Sequence, residues 1–283
     1  MRTLLSLALA LNCSISFAQT NAGQQAGLYL KEGYRLVWAD EFAEAGKPAV
    51  QNWKFENGFV RNEELQWYQP DNAWCENGLL ILEARKEQKP NPAYKKNSNN
   101  WGAMRENIEY TSSSINTRDL HTWQYGRFVM RGKIDISSGL WPAWWTLGVS
   151  KEWPSNGEID IMEYYRGMLL ANIATGTTKR YNAKWYSKKT PVKELGGKEW
   201  ASKFHEWRMD WTDQEIALFV DDVELIKVPM HQLHNEDGTG FNPFRQPHYM
   251  LLNLAMGGIN GGYLKETRFP NRFVVDYVRV YQK

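Results

Sequence analysis

The chain has 283 residues with a formal net charge of +2, 23% charged and 42% hydrophobic residues, ordinary values for a globular protein that argue against a nucleic-acid partner. Its 14 Trp stand beside 14 Tyr and 11 Phe, more flat aromatic faces than one core ordinarily uses, and such faces are the usual platform for sugar rings. No run approaches the roughly 18 apolar residues of a membrane-spanning helix.

Arg2 precedes an apolar run from Leu4 to Ala10, and Ser16-Phe17-Ala18 before Gln19 forms a small-residue cleavage pattern. A signal peptide over residues 1–18 is therefore expected, with export to the periplasm or the medium. Asn12 is a poor match to the small residue a lipoprotein site wants before Cys13, so lipid anchoring is not expected. After cleavage only Cys75 remains, which leaves no internal disulfide, and stability must come from burial. Roughly 265 residues supply that in a single domain, 19–283, if the fold is all-β. Residues 19–30 are polar and read as a mobile leader.

The strands follow as short β-prone runs between turn signals: Tyr34 to Trp38, Trp53 to Phe55, Glu64 to Tyr68, and Leu79 to Ala84 after an Asn77-Gly78 turn. Residues 86–107 are rich in Lys, Asn and Pro and read as a long loop carrying Trp101 and Arg105. Arg127 to Ile136 alternates polar and apolar over ten residues, a half-buried strand. Trp207 to Trp211 and Ile216 to Val220 form a hairpin that turns at Asp221-Asp222 into Glu224 to Val228. Tyr249 to Ala255 is a buried strand, and Val274 to Tyr281 closes the chain. The region around Lys198–Phe204 is the one helix-period stretch. Many short strands at this spacing imply a β-sandwich.

The chemistry concentrates in Gly157-Glu158-Ile159-Asp160-Ile161-Met162-Glu163-Tyr164. Alternation on a strand puts Glu158 and Asp160 on one face and Ile159 and Ile161 on the other. Strict alternation would send Glu163 to the apolar side, and one extra residue, a β-bulge at Met162, returns it to the acids. Three nearby carboxyl groups cannot all ionise cheaply, so at least one pKa is raised, as a general acid requires. The five His include one close pair, His231 and His234, without partner acids, and no phosphate loop or Ser elbow appears, so no metal ligands are assigned.

The acid motif, with Gly139-Leu140-Trp141-Pro142-Ala143-Trp144-Trp145 before it, resembles glycoside hydrolase family 16, in particular its laminarinase-like members. Asp40-Glu41-Phe42, Asn62 to Gln66, Tyr110 to Ser113 and Val275 to Tyr281 match in family order. The resemblance implies a jelly-roll β-sandwich with a concave sugar cleft and a retaining endo-glycosidase that needs no cofactor and acts on an oligo- or polysaccharide; a monomer is expected, though no motif carries that expectation. It also implies the roles: Glu158 as nucleophile, Glu163 as acid/base, and Asp160 as the partner of the nucleophile. A retaining pair works at roughly 5–5.5 Å between carboxyl groups. Four strand positions span on the order of 13 Å between Cα atoms, so both side chains must lean together.

Trp141, Trp145 and Trp153 bracket the acids as candidate stacking platforms, with Trp123 a weaker one. Asn62 and Arg105 are candidate sugar contacts, and Arg105, Arg166 and Arg180 would make the cleft locally positive. Some family members hold a calcium ion near the positions of Asp40-Glu41 and Asp276, and the resemblance leaves room for such a structural ion. Where laminarinases carry a His on the strand after the acids, this chain has Asn172 and Thr175, of which Asn172 is assigned to substrate. The expected activity is endo-β-1,3(4)-glucanase. The alternatives are an endo-β-1,4-galactosidase acting on poly-N-acetyllactosamine, keratan or mucin-type glycans, and a non-catalytic sugar-binding jelly roll.

Overall fold

The fold is seen in a computed structural model that describes residues 27–264 and 266–283. The expected signal peptide, Cys13 and the cleavage after Ala18 lie outside the described residues. Two sheets face each other. One runs, in spatial order, through Ala183–Pro191, Met168–Gly176, Glu158–Tyr165, Leu140–Gly148, His248–Met256, Ser114–Asn116 and Lys54–Phe55. The other is ten-stranded and is built around Gly126–Lys133, paired with His205–Trp211 on one side and Asn271–Gln282 on the other. The result is the expected all-β jelly-roll sandwich.

The alternating strands explain the layering. Phe128 and Met130 face inward from Gly126–Lys133, and Trp207, Met209 and Trp211 do so from the neighbouring strand; none is more than 1% exposed. Ile159, Ile161, Met162 and Trp144 meet them from the opposite sheet in one continuous apolar cluster. Each such side chain contributes roughly 1.5–3 kcal/mol by leaving water. Cys75 is buried and free, and burial pushes its thiol up to about 11, so it packs as a small hydrophobe.

Several expectations shift at the edges. The strand from Leu79 continues to Pro90, and the next begins at Asn107, which shortens the long loop to 91–106. The Lys198 region resolves into two short helices, Val192–Leu195 and Gly197–Ala201. Residues 27–30, expected in the leader, belong to a helical turn over 27–31: the Tyr29 hydroxyl donates to Glu206 Oε1 at 3.0 Å, and the Arg127 guanidinium lies 4.5 Å from the Tyr29 ring centre. The stretch around Trp185, to which no element is assigned from the sequence, is the strand Ala183–Pro191 on the sheet edge, where it pairs in unbroken register with Met168–Gly176. With no residue of that strand buried, it lacks the apolar alternation that announces a strand; its lysines are the usual protection of an exposed edge.

Replacing Phe128 with Ala is expected to cost about 3–5 kcal/mol of unfolding free energy, the range for emptying a buried aromatic site, read from denaturant midpoints at unchanged m-value.

Candidate active site

The acid strand Glu158–Tyr165 lies third in its sheet, between Leu140–Gly148 and Met168–Gly176. Asp160 faces Trp145, the next pair is Met162 with Trp144, and Ile161 is the extra residue. Ile161 and Met162 are both fully buried in the core, so the bulge turns Glu163 back to the face of Glu158. Gly157 enters the strand at φ +80°, and a Cβ there would sit 2.8 Å from Pro243 Cβ; only glycine meets both demands.

Glu158 and Glu163 line one cleft of about 690 Å³ on the outer face of the seven-stranded sheet. A small adjoining recess shares both glutamates with the cleft and is lined also by Asp160, Arg61, Glu64 and Asn253. Glu158 keeps some exposure to the cleft, whereas Asp160 is 3% and Glu163 8% exposed. Each acid is met by N–H donors. Trp153 Nε1 donates to Glu158 Oε2, and Trp141 Nε1 donates to Glu163 Oε1 at 2.7 Å. Asn172 Nδ2 donates to Asp160 Oδ2 at 2.9 Å and to Glu163 Oε2 at 2.8 Å. Burial first, and the neighbouring Asp160 charge second, push the Glu158 and Glu163 carboxyls well above the ordinary range. Burial raises Asp160 to about 6, against the lowering effect of Asn172 and of its hydrogen bond with Glu158. Such a cluster titrates as a unit, with protonated and ionised carboxyl groups side by side near neutral pH.

The other sequence candidates divide. Asn62 stands on the cleft rim at φ +57°, its amide donating to Glu64 Oε1 at 3.2 Å. Trp153 also lines the cleft. Trp141 and Trp145 reach it but are only 6% and 8% exposed. The Trp145 indole donates to Asn253 Oδ1 at 2.7 Å, and the Arg61 guanidinium lies 5.3 Å from its ring centre. These two tryptophans thus serve as donors and walls more than as open stacking faces. Asn172, assigned to substrate from the sequence, is 5% exposed and spends its amide on the acids.

Arg105 corrects the sequence reading. It lies outside the cleft lining, donating to the carbonyls of Glu64 at 2.8 Å and Glu63 at 3.1 Å while packed between Phe59 and Trp101. Its place in the chain suggested a sugar contact; its work is to fasten the loop that presents Asn62. Trp123 is a core residue against Trp38 and Phe128. Arg166 donates to the Ile259 carbonyl and Arg180 pairs with Glu152, so neither charges the cleft. At the positions where the resemblance left room for calcium, the carboxylates have protein partners. Asp40 accepts from the Phe42 backbone N–H, Asn52 and Trp53, Glu41 pairs with Arg279, and Asp276 with Arg131. No group of three metal-ligating side chains occurs among the described residues.

Sequence reasoning missed Arg61, Tyr165, Trp185, Ser187, Lys189 and Asn260, all in the cleft lining. Trp185, Ser187 and Lys189 recur every second residue on the edge strand, the period that places side chains on one face. That signal was in the sequence, but it needed the strand to be recognised first. Arg61 had none: its partner Glu56 lies five residues away in a loop without a regular period, and Ser114, which donates to Glu56 at 2.6 Å and helps hold that carboxylate, is 58 residues from it.

Comparison with known proteins accounts for the arrangement. Residues 62–279 match the model of glycosyl hydrolases family 16. The chain is 35% identical over 269 residues to a beta-glucanase of Rhodothermus marinus, spanning 88% of this chain and 85% of that protein. Among solved structures, one described with endo-acting O-glycanases by which human gut bacteria initiate mucin breakdown superposes with a TM-score of 0.79 at 32% identity, covering 88% of this chain and 91% of the other. The laminarinase catalytic domain of Thermotoga maritima gives 0.73 at 31% identity, covering 88% and 98%. The chain belongs to glycosyl hydrolases family 16, and it is a retaining glycosidase.

The raised carboxyls carry a signed consequence for stability. A group whose folded pKa lies above its unfolded value favours folding at low pH and loses that contribution as pH rises through the folded value. Asp160→Asn should therefore raise the melting temperature relative to wild type at pH 7–8, with the gain fading as the pH is brought from about 6, the folded value of Asp160, to about 4, the unfolded range. Differential scanning calorimetry across that range checks the sign.

Proposed function

We propose that the chain is an endo-β-1,3(4)-glucanase that hydrolyses internal bonds of laminarin-type or mixed-linkage glucan by double displacement. Glu158, the acid most open to the cleft, attacks the anomeric carbon. Glu163 protonates the departing oxygen and then, as a carboxylate, takes the proton from the water that releases the glycosyl-enzyme. Asp160 hydrogen-bonds the nucleophile and orients it. The carrying observation is that one bulged strand delivers both glutamates to the floor of one cleft, each held by an indole N–H. The cleft is open enough for an internal segment of a polymer to lie across the strands, with Asn62 toward one side and Trp185 toward the other. The reading also has the enzyme exported through residues 1–18, where it meets a polymer too large to enter the cell.

A second reading, an endo-β-galactosidase acting on poly-N-acetyllactosamine, keratan or mucin-type glycans, is favoured by one observation: the superposition on the mucin-associated O-glycanase structure exceeds that on the laminarinase domain. Both readings use the same acids. Incubation with laminarin, mixed-linkage glucan, keratan sulfate and mucin glycans separates them. Oligosaccharide release from the first two supports the glucanase, and release from only the last two replaces it.

Glu158→Gln and Glu163→Gln are each expected to remove nearly all turnover, by at least a thousandfold given what one essential carboxyl supplies, with circular dichroism unchanged. Wild-type turnover in either protein would sink the role assignment. Trp185, 45% exposed, offers an indole face at the cleft edge, and Trp185→Ala is expected to raise KM for polymer several-fold at little change in kcat, because ring stacking there is remote from the bond broken.

A further inference from the structure

Asn172 stands on Met168–Gly176 directly opposite Asp160. Its amide nitrogen gives one N–H to Asp160 Oδ2 and one to Glu163 Oε2, at 2.9 and 2.8 Å. Its carbonyl oxygen is buried and has no hydrogen-bond partner. A buried amide kept for the fold would spend both ends, because an unmet acceptor costs free energy. This one meets two carboxyl groups and leaves its other end unpaired, so its geometry serves the acids. A side chain of the same size without N–H groups would fill the space equally well.

We infer that Asn172 is a positioning residue for the hydrolytic reaction, a neutral bridge that ties the acid/base Glu163 to Asp160 and sets the pH at which Glu163 gives up its proton. Rotation of the Glu163 carboxyl is limited at both oxygens, by Trp141 on Oε1 and Asn172 on Oε2. The Asn172 N–H favours the ionised form, which the second half of a retaining reaction needs when Glu163 acts as base. It opposes burial and the Asp160 charge, which hold the proton on. The other titratable or charged groups facing this pair are few. They are Glu158 and Tyr165 on the acid strand, Lys189 from the edge strand, and Arg61 and Glu64 from the loop across the floor. None of these places a hydrogen bond on both acids as Asn172 does.

The inference rests on the reading of Glu163 as acid/base, and it replaces the direct sugar contact expected of Asn172. The test is the pH dependence of kcat/KM for Asn172→Leu and Asn172→Asp, each with the branched side-chain skeleton of asparagine, on whichever glycan the wild type cleaves. Losing one N–H to a carboxylate should move the basic limb upward by roughly one pH unit, and the aspartate, which adds a like charge, at least as far. KM should stay within about twofold, since the residue acts through Glu163. A basic limb within 0.2 of wild type in both folded variants overturns the inference, and so does a large rise in KM with an unmoved limb, the mark of a sugar contact. A second readout needs no substitution at 172. In the wild-type protein the Asn172 side-chain amide resonances should titrate with Glu163, and Glu163→Gln should abolish that step. Amide resonances indifferent to Glu163→Gln overturn the inference even if neither variant folds. Full turnover by Glu163→Gln would instead overturn the acid/base reading beneath it.

Discussion

Carboxyl groups gathered on one strand in a poorly solvated floor repel one another and resist ionisation. The structure around Glu158, Asp160 and Glu163 is arranged to hold that repulsion without quenching it. Among the described residues no cation is paired directly with any of the three: Arg61, the guanidinium at the cleft floor, is committed to Glu56. Neutral N–H groups are used instead, from Trp141, Trp153 and Asn172. A cation at bonding distance would pull the carboxyl pKa values down and fix them as anions, whereas a neutral donor orients a carboxyl and leaves its proton negotiable. That distinction is what lets one carboxyl act as nucleophile while another carries a proton at the same pH.

The bulge makes this arrangement compatible with a packed core. Without the extra residue, Glu163 would be driven between the two sheets, where an ionised carboxylate has no place. With it, Ile161 and Met162 both enter the core, and the sheet gains an apolar contact where alternation would have placed an acid. Packing and chemistry therefore ask for the same local irregularity, and the core that Phe128, Trp207 and Trp211 form beneath it keeps the strand in that register.

Much of this was legible in the sequence, because it depends on local periodicity. Apolar alternation marked most of the strands of the sandwich, and the phase slip between Asp160 and Glu163 marked the bulge. What escaped depends on contacts distant in the chain. Arg105 looked like a ligand because a lone arginine in a long loop has no visible partner; its partners are the carbonyls of Glu63 and Glu64, some 40 positions away. Trp141 and Trp145 looked like sugar platforms because sequence shows a ring and not which of its faces is covered. The strand Ala183–Pro191 went unrecognised because nothing buries it, and with it were lost Trp185, Ser187 and Lys189. Asn172 was placed in the cleft, where it lies, but its hydrogen bonds to Asp160 and Glu163 are invisible without the neighbouring strand.

The strand order has a bearing on how such a molecule can diversify. The bond-breaking groups occupy a strand held on both flanks, where a change disturbs the register of two neighbours. Trp185, Ser187 and Lys189 project from a border strand with one neighbour and no buried residue. Substitutions there disturb little of the fold, so the sugar admitted can drift while the cleavage reaction stays fixed. Closely similar chains that differ in diet, glucan in one and host glycan in another, are then a natural product of an architecture that separates a conservative interior from a permissive margin.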